Sequence, residues 1–231
     1  MSSDISNYWA EMRRLIIAIL VVLALPGRAK AQYVGVSLER ITSTVDWQYP
    51  APPSPCPFCI VDVAPAAQRR STGGGLSMSW RTNRWLGAST ELQLAPRGYA
   101  VSQPTLNVSY LEAPTLLRLG KMMFSQLPFA PFLEAGPAVA LRLGCRVYYN
   151  DTSEPCKRDT AIGQDWRISR FDVSAVAGVG VAVRIRTNLV VLRGRIDHGL
   201  LDVGGPDDYP TKHRSKSMSI AWLAPLPRFA R

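Results

Sequence analysis

The sequence predicts an all-β protein: an eight-stranded antiparallel up-and-down transmembrane β-barrel preceded by a cleavable signal peptide. Three observations predict it. From Phe171 to Ile185, apolar residues alternate with small or polar residues. That stretch is longer than the usual strand of a soluble domain and suits a tilted strand that crosses a bilayer. Similar segments follow one another along the chain, and an export signal precedes them all.

The first 31 residues have the features of a secretory signal. Arg13 and Arg14 form a charged region, an uninterrupted apolar run covers 15–25, and a small-x-small cleavage site ends at Ala31. The apolar run is too short to span about 30 Å of hydrocarbon as a helix. We therefore expect residues 1–31 to be the signal peptide, with Met12 as an alternative start, and residues 32–231 to form one barrel domain.

Eight extended segments can be traced in the remaining chain, each with residues alternating between two faces. The predicted strands are Tyr33–Val45, Gly73–Arg81, Trp85–Ala95, Leu106–Leu119, Phe129–Leu143, Arg170–Ile185, Leu189–Leu201 and Ser217–Leu223.

The connections between these segments alternate in length. Long loops follow the odd-numbered segments and tight turns follow the even-numbered ones, so the loops would lie at one end of the barrel and the turns at the other. Outer-membrane barrels show this asymmetry between long extracellular loops and short periplasmic turns. After the signal, no apolar run is long enough to span a bilayer as a helix. The predicted location is the bacterial outer membrane.

The two faces of the predicted strands differ in chemistry. One face carries leucine, valine and isoleucine, as expected for contact with lipid. The other carries acids and bases in matched number, as expected for a packed polar plug, because an eight-stranded barrel is only wide enough for side chains to fill. The predicted interior charge network comprises Glu39, Arg81, Glu91, Glu112, Arg118, Glu134, Arg142, Asp172, Arg184, Arg193, Arg195 and Asp197.

The formal net charge is +10. A basic balance can indicate nucleic-acid binding, but these basic residues are dispersed along the chain and an exported protein rarely meets nucleic acid. We therefore expect no nucleic-acid partner. The predicted partners of the basic residues are the lipid of the outer membrane and the phosphates of lipopolysaccharide.

Three segments resemble the PorT-like outer membrane β-barrel family. Tyr110–Leu119 is similar to its central strand, which typically begins Tyr-Leu-Glu-Ile-Pro, and Pro131–Pro137 resembles its next strand. The segment from Phe171, together with Arg195–Leu200 and Asp202, resembles its last hairpin. The resemblance covers about Tyr33 to Trp222 and implies an eight-stranded outer-membrane barrel, mostly without assigned activity.

The closing strand departs from this pattern. It has no terminal aromatic residue, since prolines 225 and 227 follow Trp222, and proline interrupts strand pairing. The barrel assembly machinery is the expected partner during biogenesis. Either the barrel ends early at Trp222, or recognition by that machinery is atypical.

Four cysteines in an exported chain suggest disulfides. Cys145 and Cys156 flank the tip of one long loop and are expected to pair. Cys56 and Cys59 lie in the Pro-rich first loop with no helical pattern after them, so a structural disulfide is favoured over a redox-active pair or half a zinc site. We expect no metal and no cofactor.

The two histidines are the only bases that titrate near neutral pH. His198 falls on the outward face of its strand, where a lipid A modifying site with Ser215 or Ser217 is conceivable, although no spacing fixes a nucleophile beside a base. The sequence therefore predicts no enzymatic activity. The predicted lipid contacts lie in a basic cluster within the last loop and the strand that follows, namely Lys212, His213, Arg214 and Lys216.

The predicted function is a structural or surface-interaction role through the loops around Cys56–Cys59 and Cys145–Cys156. Three alternatives remain open: a conduit for small solutes, a lipid-modifying enzyme of the outer leaflet, and a soluble periplasmic lipocalin-like binding barrel. Gly73–Gly75 is not a phosphate-binding loop, because neither Lys-Ser or Lys-Thr nor a helix follows it. It is interpreted as a flexible strand start. The sequence names no ligand for the loops.

Overall fold

The structure is a computed structural model that describes residues 33–47, 67–82, 85–100, 105–120, 129–149, 152–156, 168–201 and 211–226. The predicted signal peptide and the Cys56–Cys59 motif lie outside the described residues. Among the described residues, no helix is long and apolar enough to cross a membrane.

The described chain forms a closed antiparallel barrel of eight long strands, which confirms the predicted fold. Consecutive long strands are hydrogen-bonded neighbours, and the first strand pairs with the last; a ninth, short strand, β6, is paired to the end of β5 alone. The strands are β1 Tyr33–Trp47, β2 Ala67–Arg81, β3 Leu86–Ala100, β4 Thr105–Leu119, β5 Phe129–Tyr149, β6 Thr152–Pro155, β7 Phe171–Ile185, β8 Asn188–Gly199 and β9 Thr211–Pro225.

Residue alternation forms these strands because successive side chains point to opposite faces. Along β4, every second residue from Leu106 to Arg118 is buried. The other face of the barrel is apolar and exposed: Leu38, Leu133, Val179 and Ile196 are each about 58–59% exposed. A soluble binding barrel would place its apolar face inside and its polar face outside, so this arrangement contradicts that alternative and fits a lipid-facing wall.

The two ends of the barrel differ as predicted. The connections β2–β3 and β7–β8 are short and lie at the turn end, together with Tyr33 and Pro225 of the first and last strands. The β7–β8 turn is Arg186–Thr187, one residue earlier than predicted, and Arg186 has a left-handed φ of 58°. At the opposite end, the loop end, β5 continues into the hairpin with β6.

Several strands extend further toward the loop end than the sequence predicted. β2 begins at Ala67, so Gly73–Gly75 lies within the strand and is not its start, and β3 runs to Ala100, so the segment 96–98 is strand and not loop. β9 begins at Thr211 and includes the whole basic cluster 212–216. The extensions of β2 and β9 carry polar residues on both faces, and the extension of β3 has Pro96 and Gly98 on its outward face, so the alternating apolar pattern gave no signal for them.

The length of the strands explains these polar ends. A tilted strand needs about 9–11 residues to cross a bilayer, whereas seven of the barrel strands contain 15 or more residues. The surplus residues must project beyond the hydrocarbon. In β9, the outward residues change from Trp222, Ile220 and Met218 to Lys216 and Arg214 as the strand approaches the loop end.

The β5–β6 hairpin is closed by a disulfide between Cys145 and Cys156, which confirms the predicted pairing. The backbone N–H of Cys156 also donates to the carbonyl of Cys145 at 3.2 Å. β5 thus pairs with β4 along one edge, and along its other edge with β7 and then, nearer the loop end, with β6.

Close approach between strands depends on glycine at particular positions. A Cβ atom added to Gly75 in the middle of β2 would lie 2.2 Å from the carbonyl oxygen of Leu92, a backbone atom of β3. At Gly144 of β5, an added Cβ would meet nothing within 4 Å. The two positions therefore provide a matched test of how tightly the sheet is packed.

We predict that Gly75→Val prevents barrel closure, because backbone atoms of β3 cannot move away without breaking the β2–β3 ladder. Gly144→Val is the control and leaves closure intact. The measurement is the mobility of boiled and unboiled protein on a gel after refolding into detergent. Loss of the heat-dependent shift is expected for Gly75→Val alone, and a normal shift for that variant would contradict the prediction.

Candidate functional site

The interior of the barrel holds two clusters of charged side chains. The arginine cluster consists of Glu91, Arg118, Glu134, Arg193 and Arg195. The histidine cluster, nearer the loop end, consists of Arg97, Glu112, Asp172, Asp197 and His213. Each of these side chains is at most 9% exposed.

In the arginine cluster, two carboxylates hold three guanidinium groups. Glu91 accepts two hydrogen bonds from Arg193, one of them at 2.8 Å, and two from Arg195 at 2.9 Å. Glu134 accepts from Arg195 Nε at 2.5 Å and from Arg118 Nε at 2.9 Å. Planar, bidentate pairing of this kind is the strongest form of charge-assisted hydrogen bond between side chains.

Neighbouring groups contact two of these arginines as well. Arg193 Nε donates to the hydroxyl of Ser219 at 2.7 Å, and Arg118 Nη1 donates to the hydroxyl of Ser79 at 3.2 Å. The Arg118 guanidinium also lies 4.9 Å from the ring centroid of Phe132. The arginine cluster is thereby joined to the apolar packing toward the turn end.

In the histidine cluster, one guanidinium is surrounded by acids. Arg97 Nη2 donates to Glu112 at 2.5 Å and also to Asp197, while Arg97 Nη1 contacts His213 Nε2. His213 Nδ1 lies 2.6 Å from Asp172 Oδ2 in a close polar contact, but neither carboxylate oxygen of Asp172 has an aligned hydrogen-bond donor. The cluster contains more acids than bases, whereas the arginine cluster contains more bases than acids.

Apolar layers pack against the charged interior toward both ends. The turn-side layer includes Phe132, Leu189 and Leu223, and the loop-side layer includes Leu106 and Val147. Between them, a cavity of about 20 Å³ is bordered by charged groups of both clusters, among other residues. That volume holds about one water molecule, so the described interior is a filled core and not a channel.

The structure places the predicted interior residues as follows. Nine are buried: Glu39, Glu91, Glu112, Arg118, Glu134, Asp172, Arg193, Arg195 and Asp197.

The structure does not show the other three predicted interior residues as buried. The Arg81 side chain lies outside the described residues. Arg142 is half-buried, and its Nη1 donates to the Ile168 carbonyl at 2.5 Å. Arg184 is exposed and not interior, because it is the penultimate residue of β7 and its side chain emerges at the turn-end rim.

Sequence reasoning missed Arg97 as an interior residue, because the Pro-Arg-Gly sequence around it was interpreted as a loop. The signal was nevertheless present: continuing the two-residue period from Glu91 through Gln93 and Ala95 leads to an inward Arg97. His213 was predicted to contact lipid, and that prediction was wrong, since His213 is 6% exposed and points into the barrel. Its position follows from the same period counted back from Ser219.

The remaining predicted lipid contacts lie on the outer wall. Arg214 and Lys216 are exposed and Lys212 is half-buried, all three on the outward face of β9. Arg214 Nε donates to His198 Nδ1 at 3.2 Å on that face. Ser215 and Ser217 point into the barrel, so the structure does not bring either of them together with His198. Among the described residues, no group of three or more His, Cys, Asp or Glu side chains could hold a metal ion.

The described charges of the barrel strands are divided between the two faces. Their described carboxylates, from Glu39 to Asp197, all face inward. Outward positions carry arginine or lysine, namely Arg40, Arg70, Arg146, Arg214 and Lys216 in addition to Lys212. The outer wall toward the loop end is therefore cationic.

Several solved structures of small outer-membrane barrels are similar to this chain. The chain is similar to AlkL, solved by solid-state NMR in DMPC bilayers (TM-score 0.51, 13% identity, 87% of this chain and 93% of that chain). It is similar to OprG from Pseudomonas aeruginosa (TM-score 0.50, 10% identity, 85% and 97%) and to the neisserial surface protein NspA (TM-score 0.42, 12% identity, 81% and 95%).

At these identities the likeness shows the fold alone, which is that of small outer-membrane β-barrels. A barrel of this fold with an exposed apolar wall belongs in the bacterial outer membrane. No protein-family model matches the chain, and no curated protein matches it by sequence. The resemblance to the PorT-like family stays a prediction.

We predict that Glu91→Gln lowers the free energy of unfolding by about 3–5 kcal/mol, because it removes the shared carboxylate and leaves two buried guanidinium groups without it. Glu154→Gln in β6, at a half-buried position outside the barrel wall, is the control and changes stability by less than about 1 kcal/mol. Urea unfolding in lipid vesicles, followed by tryptophan fluorescence, measures both. Equal effects in the two variants would contradict the assigned role of Glu91.

We predict that replacing both Cys145 and Cys156 by serine loosens the β5–β6 hairpin and leaves the barrel intact. β6 pairs with β5 alone, whereas each barrel strand pairs on both sides. Hydrogen–deuterium exchange should become at least about tenfold faster at the β6 amides and stay unchanged at the β8 amides. Unchanged protection of β6 would show that the disulfide does not hold the hairpin.

Proposed function

We propose that this protein is a non-conducting outer-membrane barrel that acts through its outer wall and its loop-end surface. The observation that carries the proposal is the filled interior. Two charged clusters, packed together with apolar layers toward both ends, leave a cavity of about 20 Å³. A solute that crosses the barrel would have to break buried ion pairs, which costs several kcal/mol for each pair.

The loop end supports a surface role. β5 extends to Tyr149 and forms a hairpin with β6 that a disulfide closes. This hairpin is a rigid element beside the longer connections of the loop end. Rigid elements of this kind position binding loops on a scaffold. The partner of the loops would be recognised there, and the interior would serve as structural support.

The cationic outer wall supports contact with anionic lipid. Arg40, Arg70, Arg214 and Lys216 lie where the strands project toward the headgroups. Each basic side chain near an anionic surface contributes on the order of 1 kcal/mol to attraction. Lipopolysaccharide is the proposed anionic component, since the loop end of such barrels faces outward.

A role without catalysis is part of the proposal. His198 lies on the outer wall with Arg214 as its neighbour, while Ser215 and Ser217 face the interior. A nucleophile and its base must lie within hydrogen-bond reach. The described residues offer no such pair around His198.

We further propose that the chain is related to the PorT-like family and that the barrel assembly machinery recognises it. The motif segments Tyr110–Leu119 and Pro131–Pro137 fall in the neighbouring strands β4 and β5. β9 is fully paired with β1 up to Pro225 even without a terminal aromatic residue. Its exposed Trp222 is the proposed aromatic signal for assembly.

Conductance tests the proposal directly. The refolded protein is inserted in a planar bilayer, with a wide porin as positive control, and we expect no discrete current steps because the interior is filled. The folded state of the inserted protein is checked by the heat-dependent mobility of protein recovered from the same bilayer preparation. Reproducible unitary currents from inserted protein would overturn the proposal and favour the solute conduit.

A further inference from the structure

The outer wall contains a shallow apolar groove across strands β4, β5, β7, β8 and β9. Its volume is about 600 Å³, and its outward-facing walls include Leu133, Val179, Leu192 and Met218. Gly194 also lines the groove, and a Cβ atom added there would meet only the Ser217 carbonyl oxygen, at 3.9 Å. The absence of a side chain at Gly194 therefore leaves the space open toward lipid.

Strand register places this groove directly beside the cationic wall. One row of paired residues crosses the outer face from Leu133 through Val179, Gly194 and Met218 to Arg40. The apolar residues of the groove and the cation Arg40 thus belong to the same row of paired residues. An amphiphile that lies in the groove would bring its polar end to the basic side chains.

The next row toward the loop end contains two more cations. Lys216, Thr42 and Arg70 lie side by side on β9, β1 and β2. Neighbouring strands are about 4.8 Å apart, so the Lys216 and Arg70 backbones are separated by about 10 Å. Arg40 lies two residues before Thr42 on the same face and completes a triangle of positive charge around its hydroxyl.

We propose that this wall binds one molecule of a phosphorylated glycolipid of the outer leaflet, with its phosphates on Arg40, Arg70 and Lys216 and an acyl chain in the groove over Gly194. The inference rests on the proposed function, which assigns lipid contact to the same wall. It adds a defined site with two parts, a phosphate clamp and an acyl groove, in place of diffuse attraction to a charged surface.

The occupant follows from three properties of the site. The loop end lies on the side of the outer leaflet, and the described outward side chains of the barrel strands include cations but no carboxylate, so the ligand is anionic. Two basic groups about 10 Å apart suit a headgroup with more than one phosphate. The groove continues below them between Val181 and Leu192, which suits an acyl chain.

Native mass spectrometry of the full-length protein, released from zwitterionic detergent, tests the site. The protein is titrated separately with bisphosphorylated lipid A, phosphatidylglycerol and phosphatidylcholine. We expect one lipid A to be retained per protein, with an apparent affinity at least about tenfold higher than for phosphatidylglycerol and no specific retention of phosphatidylcholine.

Two pairs of variants separate the clamp from the groove. Arg40→Gln with Lys216→Gln removes clamp charges, and its control is Arg146→Gln, a cation of the outer wall on β5 away from the patch. Gly194→Leu fills the groove, and its control is Ala88→Leu at an outward position on β3. Each clamp or groove variant should weaken lipid A retention about tenfold or more, and each control less than about twofold.

Every variant is first checked for barrel closure by its heat-dependent mobility. Equal retention of lipid A and phosphatidylglycerol would overturn the glycolipid assignment and indicate a general anionic site. Equal loss in Arg146→Gln would overturn the clamp, and unchanged retention in Gly194→Leu would overturn the groove. Because conductance does not depend on bound lipid, these outcomes leave the proposal of a non-conducting barrel to be judged by its own measurement.

Discussion

The pairing of two buried glutamates with three arginines inside the barrel is the interaction on which the rest of the structure depends. Glu91 and Glu134 lie on β3 and β5, and their partners lie on β4 and β8, so these contacts reach across the barrel as well as between neighbouring strands. Strand pairing alone holds neighbours together along the wall, whereas these contacts join opposite sides. Removing one partner from a buried charged core of this kind leaves an uncompensated buried charge and is strongly destabilising.

The position of the charges explains how one chain suits both the closed interior of the barrel and the lipid around it. Among the described side chains of the barrel strands, the acids lie inside beside buried arginines, and the charged residues of the outer wall are cations above an apolar belt. Lipid tails contact leucine and valine, and anionic headgroups contact arginine and lysine. The same alternation of residues along each strand thus supplies a filled interior and an exterior suited to an anionic leaflet.

Sequence reasoning succeeded where hydrophobic alternation was strong and failed where the outward face carried no alternating large apolar residues. The middle portions of the strands were identified because lipid contact requires apolar residues at every second position. The extensions of β3 and β9 were missed because they lie beyond the hydrocarbon, where this requirement ends. Arg97 and His213 lie in those extensions, and for that reason the histidine cluster was only partly anticipated. The Cys145–Cys156 disulfide was predictable because the two residues flank one loop tip.

The sequence by itself determined the class of fold, the cellular compartment and the apolar residues that face lipid in the middle of the strands, because a two-residue period and an apolar belt are local properties of the chain. Only the tertiary structure decided which charges meet, since Arg97 contacts Asp197 and His213, which lie 100 and 116 residues further along the chain. It also brought Gly194 beside Met218 and Arg40 in one row. Strand register sets these neighbours, and register depends on the closure of the whole barrel.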